Sequence, residues 1–154
     1  MTVTVKLEGF KELDQALDNL SKAAGKGALR RSLKRAAEPT AKLAQGLAPV
    51  LTGKLKNSII VGAKLDGRQA KLHRKMFRDD RSSVELFVGP SYLRGDGGRH
   101  GHLLEFGTIK MPPQPFMRPA WEQDKKAILD RLKEELWDQI QKAIARANAR
   151  AARG

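Results

Sequence analysis

The sequence predicts an α+β fold, a small antiparallel sheet of about four strands packed by two N-terminal helices and a long C-terminal helix. Three observations carry that expectation. Runs such as "TVTVKLEG" and "SVELFVGP" alternate apolar and polar residues with the period of a half-buried strand. Elsewhere apolar residues recur in steps of three and four, the period of one helix face. The elements follow as strand, two helices, a group of strands and a long helix, without the βαβ alternation of a parallel sheet. Residues 1–154 are expected to form a single domain without internal repeats.

The first strand places Val3, Val5 and Leu7 against Thr2, Thr4 and Lys6. Phe10, Leu13, Leu17, Leu20 and Ala24 then make one helical stripe, which Gly25 and Gly27 are expected to end. A second helix is expected from Lys26 to Leu47, with Leu29, Leu33, Ala36, Ala37, Thr40, Leu43, Ala44 and Leu47 on its apolar side. Pro39 lies inside that pattern and removes an amide donor, so a kink or break near Glu38 is expected. In "APVLTGKLKNSI", Thr52 is positioned to cap a short helical turn starting at Gly53 and Lys54. "SIIVGAKL" reads as a second strand and "SVELFVGP", with Val84, Leu86 and Val88 on one face, as a third.

The stretches between these strands read as loops. Residues 64–83 are polar, charge-dense and weakly periodic, and 91–101 are glycine-rich, so both are expected to be flexible. "HLLEF" fits a short fourth strand or a helical turn. Pro119 suits the first position of a helix that runs on through Trp121, the stem of Lys125, Ile128, Leu132, Leu136, Ile140, Ala143 and Ala147. Such a helix approaches roughly thirty residues, or about 45 Å. Its tail, 147–154, offers only alanine for burial and is expected to fray or to dock on a neighbour.

Thirty Lys and Arg against seventeen Asp and Glu leave a formal charge of +13 and a pI near 10.3. A surface so basic attracts acidic partners: nucleic acid, an anionic membrane or an acidic protein face. There is no cysteine, which excludes disulfides and thiolate chemistry. The N-terminus is unlike a signal peptide, and no apolar run approaches the roughly 20 residues that span a bilayer. A soluble protein, not exported by an ordinary signal and not membrane-bound, is expected.

Sites for chemistry are sparse. His100, His102 and Glu105 form an incomplete metal set, since a structural zinc usually takes four ligands. His73 stands among Lys71, Arg74 and Lys75 with no carboxylate to orient it and reads as a solvated loop residue. Ser58, Ser82, Ser83 and Ser91 show no context for a nucleophile. "GPSYLRGDGG" lacks the GKS or GKT of a phosphate loop, and its "RGD", Arg94 to Asp96, is a short tripeptide that arises easily in basic glycine-rich loops. No catalytic residue, metal or cofactor is expected. Arg30, Arg31, Lys34 and Arg35 are candidates to face DNA or an acidic partner, so a basic protein acting on duplex DNA as a monomer is the alternative reading.

The most constrained stretch is "HGHLLEFGTIKMPPQPFMRPAW", residues 100–121. Pro112, Pro113, Pro115 and Pro119 restrict its backbone. Gly107 is expected to adopt a conformation that other residues resist, and Glu105 to pair with Arg118 across the bend. Phe116 is expected to anchor on the protein's own sheet, while Met117 or Trp121 are candidates to fill a pocket on a neighbouring subunit.

Three signals in order, Pro-x-x-Thr-Gly-x-Leu (Pro49, Thr52, Gly53, Leu55), Glu-Phe-Gly-Thr (Glu105, Phe106, Gly107, Thr108) and Pro-Phe-Met-Arg-Pro-Ala (Pro115, Phe116, Met117, Arg118, Pro119, Ala120), come before a long terminal helix. This combination resembles the neck and tail-completion proteins of long-tailed, lambda-like bacteriophages, over nearly the whole chain. Relatives often carry an acidic residue before the Thr-Gly pair where this chain has Leu51, which leaves capping to Thr52. The resemblance implies a nonenzymatic virion protein at the junction of head and tail. It further implies a homo-oligomeric ring, for which a hexamer is one candidate, that surrounds the DNA channel and touches DNA non-specifically. Partners would be other neck and tail proteins, met in the host cytoplasm during assembly.

Overall fold

Alanines set how closely the two long helices of this protein meet. In the computed structural model, which describes residues 15, 18, 22–76, 84–92 and 98–154, the elements are α1 (Lys22–Leu47), α2 (Lys54–Ser58), β1 (Ile59–Gly62), α3 (Gly67–Met76), β2 (Phe87–Pro90), α4 (Gly101–Phe106) and α5 (Met117–Arg153). The face of α1 that is buried consists of small residues: Ala28, Ser32, Ala36, Ala37, Thr40, Ala41 and Ala44. Against it lie Ala120, Asp124, Leu136, Gln139 and Ile140 of α5. Arg31 bonds to Gln139 and Thr40 to Asp124, so the helices run antiparallel.

Side chains this small let one helix reach the other's backbone. The Arg131 guanidinium donates to the Ala36 carbonyl from Nε at 3.2 Å and from Nη2 at 3.0 Å. The same guanidinium donates to the buried Asp124 carboxylate, with Nη1 3.0 Å from Oδ1, and the Thr40 hydroxyl donates to the other oxygen. The Arg131 hydrogen bond holds the Asp124 carboxyl below its ordinary range; burial opposes this and the Thr40 bond adds to it. At the periphery Arg31 Nε donates to Gln139 at 2.9 Å and Arg35 pairs with Glu135 at 3.3 Å. The seam between the long helices therefore combines alanine packing with a satisfied ionic network.

A second layer closes the lower end of α1. The strands pair antiparallel with Ile59 opposite Pro90 and Gly62 opposite Phe87. Gln45 of α1 ties the sheet down by donating to the Ile59 carbonyl at 2.8 Å. Ile59 and Phe116 are fully enclosed with Ala41, Ala44, Ala48, Leu55 and Ala120, and Val61, Val88, Leu104 and Met117 pack around them.

Several expectations change. Among the described residues the sheet has two strands, not four: "HLLEF" is helical, as α4, and the strand expected at 2–8 lies outside the described residues. The helix expected from Phe10 also lies mostly outside them. Gly25 and Gly27 do not end a helix, because α1 runs through both, and its packing on α5 outweighs the roughly 1 kcal/mol each glycine costs. Pro39 does not break α1 either; its turn is clamped by buried Ala36, Ala37, Thr40 and Ala41. Leu43 and Leu47 are exposed, since the buried stripe is rotated toward the alanines. Strand β2 begins only at Phe87, leaving Val84 to Leu86 outside it. Within 64–83 the structure holds α3, capped by Asp66, whose carboxylate accepts from the Gln69 amide at 2.8 Å. The terminal helix starts at Met117 and continues to Arg153, so 147–153 is helical. Its buried face excludes Trp121 and Lys125, since the ion network places Asp124 inward instead.

Breaking that network isolates a buried charge. Arg131→Met should cost about 3 kcal/mol in urea unfolding, and adding Asp124→Leu should recover part of the loss.

Candidate functional site

The bend between α4 and α5 is organised by one side chain. Glu105 is 5% exposed, and its carboxylate accepts from three successive amides: Phe116 at 2.8 Å, Met117 at 2.9 Å and Arg118 at 3.0 Å. These are orphan donors of the first turn of α5, and the next residue, Pro119, has none to satisfy. A carboxylate twelve residues away thus does what a local cap ordinarily does, and it lies at the positive end of the 37-residue helix. Phe116, the residue preceding the helix, makes no side-chain cap of its own because its ring is in the core.

Arg118 completes the site as expected from the sequence. Its Nε lies 3.3 Å from Glu105 Oε1, its Nη2 donates to the Glu105 carbonyl at 3.3 Å, and its guanidinium sits 5.4 Å from the centre of the exposed Phe106 ring. Burial pushes the Glu105 carboxyl up, but the amides of Met117, Phe116 and Arg118 and the Arg118 side chain together outweigh it, and the group is held below its ordinary range. Both carboxylate oxygens are committed to holding the bend.

Glycine permits the chain to return. Gly107 has φ 76° and ψ 178°, a region closed to other residues, and a Cβ there would stand 2.8 Å from the Pro113 nitrogen. The chain then turns at Thr108–Met111, where the Thr108 amide donates to the Met111 carbonyl at 2.8 Å, and Ile109 projects fully into solvent. The Gln114 amide returns to the Leu104 carbonyl at 2.7 Å before Pro115 and Phe116. Glu-Phe-Gly-Thr and Pro-Phe-Met-Arg-Pro are therefore two halves of one clasp.

The Thr-Gly motif has a different logic. Gly53 has φ 74°, so glycine suits the start of α2, and its carbonyl accepts from the Asn57 amide at 3.0 Å. Thr52 is exposed and does not cap, because Gly53 itself occupies the cap position without a side chain. Pro49 is half-buried and Leu55 enters the core, while Leu51 is 97% exposed.

The remaining candidates separate. Arg30, Arg31, Lys34 and Arg35 are all exposed, but Arg31 and Arg35 reach across to Gln139 and Glu135 of α5, so only part of that charge is uncommitted. Met117 packs beside the core and Trp121 is 51% exposed. Glu105 faces α5 rather than His100 or His102, and no metal-binding group of three His, Cys, Asp or Glu occurs among the described residues. His73 lies in α3 and is half-buried, with Glu85 3.7 Å away and the Phe87 ring edge-on at 5.3 Å; the sequence distance to residues 85 and 87 hid both neighbours. Arg94 to Asp96 lie outside the described residues.

Residues 11–107 match the family described as "Bacteriophage HK97-gp10, putative tail-component". The chain belongs to this family. Comparison with curated proteins and with solved structures gave no match. The matched span of this tail component contains the Thr-Gly turn and Glu105 to Gly107, and stops short of the amides that Glu105 holds. Membership implies a place in the virion among other virion proteins. No described helix is long and apolar enough to cross a membrane.

A carboxyl held low in the folded state contributes stability that is full above its unfolded value and lost as pH falls through the folded one. Unfolding followed by circular dichroism should therefore show stability declining below about pH 4.3, with a shallower decline in Glu105→Gln. That variant should also lose about 2 kcal/mol at neutral pH, where one oxygen's charge and acceptor capacity are replaced by an amide. Gly107→Ala should cost about 1–3 kcal/mol in the same assay, from its φ alone.

Proposed function

We propose that this tail component is a structural protein of the phage neck that completes the tail and joins it to the head, as a subunit of a homo-oligomeric ring around the DNA channel. The observation that carries the reading is the clasp at Glu105. It fixes a bend that presents apolar side chains beside the exposed Thr108, Lys110 and Gln114: Phe106 is 69% exposed, Ile109 fully exposed, and Trp121 follows one turn into α5. Apolar side chains presented on a rigid backbone suit a docking surface, since little ordering entropy remains to be lost on association. Trp121 is the better of the two interface candidates, because Met117 is engaged with its own core. The net charge of +13 favours neighbours with acidic faces, through steering and register.

The test is complementation of a phage lacking this protein. Ile109→Asp should leave unfolding within about 0.5 kcal/mol of wild type, since its side chain is fully exposed, and Trp121→Glu, whose ring is half covered, should cost about 1 kcal/mol. They should nevertheless yield heads and tails that fail to join in electron micrographs. Intact, infectious particles from both variants would overturn the assignment of this surface.

A further inference from the structure

We propose that the last turns of α5 are a surface for the phosphate backbone of duplex DNA. The acidic residues of α5 end at Asp138; residues 139–154 contain Lys142, Arg146, Arg150 and Arg153 and no Asp or Glu. Steps of four, four and three place these cations on one face of a helix that is continuous to Arg153. Every residue from Ala145 onward is exposed. Lys142 pairs with Asp138 at 2.6 Å, and no ion pair among the described residues engages Arg146, Arg150 or Arg153. Two of them, Arg150 and Arg153, complement the carbonyl end of the helix. That accounts for neither Arg146, about one turn before Arg150, nor the absence of acids.

The face opposite the stripe selects the partner. A membrane-surface helix needs Trp, Phe or Leu on its other side, and a protein interface needs aromatic or large aliphatic anchors. Beyond Ile144 this stretch has only alanine and Asn148 between its arginines. It offers charge without an apolar anchor, which is the requirement of sequence-independent phosphate binding. From Lys142 to Arg153 the stripe is about 17 Å long, the axial span of about five phosphates on one strand. The α1 cations are poorer candidates, because Arg31 and Arg35 are already engaged by Gln139 and Glu135. The inference needs no ring; within one, the stripe would touch DNA in the channel.

The experiment is fluorescence anisotropy of the full chain with a labelled duplex of about 20 bp, over salt from about 50 to 200 mM. Wild type should bind with an affinity that falls steeply with salt. In R146Q/R150Q/R153Q the slope of log K against log salt should be less negative by about 2.7, at about 0.9 for each phosphate no longer neutralised. R30Q/K34Q should bind more nearly as wild type does. No binding by wild type at the lowest salt, or an unchanged slope in the triple variant, overturns the proposal. So does poly-L-glutamate competing as well as unlabelled duplex at equal charge, which would assign the stripe to an acidic protein. Light scattering on the same samples separates this from the neck reading: the triple variant should keep the wild-type mass and, in phage, the wild-type head–tail junction. A changed mass would place the stripe between subunits instead and overturn it.

Discussion

The bend depends on a single carboxylate reaching three consecutive amides. A helix of 37 residues sums its peptide dipoles toward its first turn, and there the chain supplies no Ser, Thr, Asp or Asn as a cap. Glu105 fills that place from α4, so the two elements are locked by charge-assisted hydrogen bonds in a partly dry setting. Everything local follows from the need to bring residue 105 to residue 116. The excursion of ten residues between them must double back, which requires the positive φ of Gly107, a tight turn at Thr108–Met111 and prolines that limit alternatives. Phe116 then enters the core as the helix begins, coupling the clasp to the packing beneath it.

The pairing of α1 with α5 follows a related principle, in which small side chains make room for polar ones. Leucines at the seam would have held the helices apart and kept Arg131 from the Ala36 carbonyl. Alanines bring the backbones close enough for one arginine to serve both a carbonyl and a buried aspartate. Such a seam gains less from apolar burial than a leucine one, and more from geometry that tolerates one register only. Because α5 carries the clasp at one end and the basic stripe at the other, its fixed register against α1 sets where both are presented.

Exposed apolar side chains stand along helices, at Leu43, Leu72 and Trp137, and also on turns and at helix ends or starts, at Leu51, Phe106, Ile109 and Trp121. A single exposed apolar side chain is ordinary on a protein surface. Several on rigid connections are more telling in a protein that belongs to a family of virion components, because assembly favours surfaces that are ordered before they meet.

Much of the clasp was legible in the sequence. A glycine after Glu-Phe, clustered prolines and an arginine thirteen residues beyond the glutamate suffice to suggest a constrained bend, an unusual glycine conformation and the Glu105–Arg118 pair, because turn chemistry is local. The capping of α5 by Glu105 was not legible, since the spacing between a carboxylate and remote amides carries no period. The Asp66 cap of α3 was local but masked by the polar composition around it. In α1 the periodicity marked the helix and part of its inward face correctly, at Ala36, Ala37, Thr40 and Ala44, but it also placed Leu43 and Leu47 inward: leucines outrank alanines on any hydrophobic scale, yet here small residues are buried because their size lets α5 approach. Gly25, Gly27 and Pro39 likewise signal breaks by propensity and are overridden by packing. By itself, then, the sequence determined a basic, mostly helical α+β chain with one rigid bend, all properties of neighbouring residues. Only the tertiary structure decided which helix faces meet, which arginines are drawn into the seam and which carboxylates are buried, because those depend on distances between residues far apart in the chain.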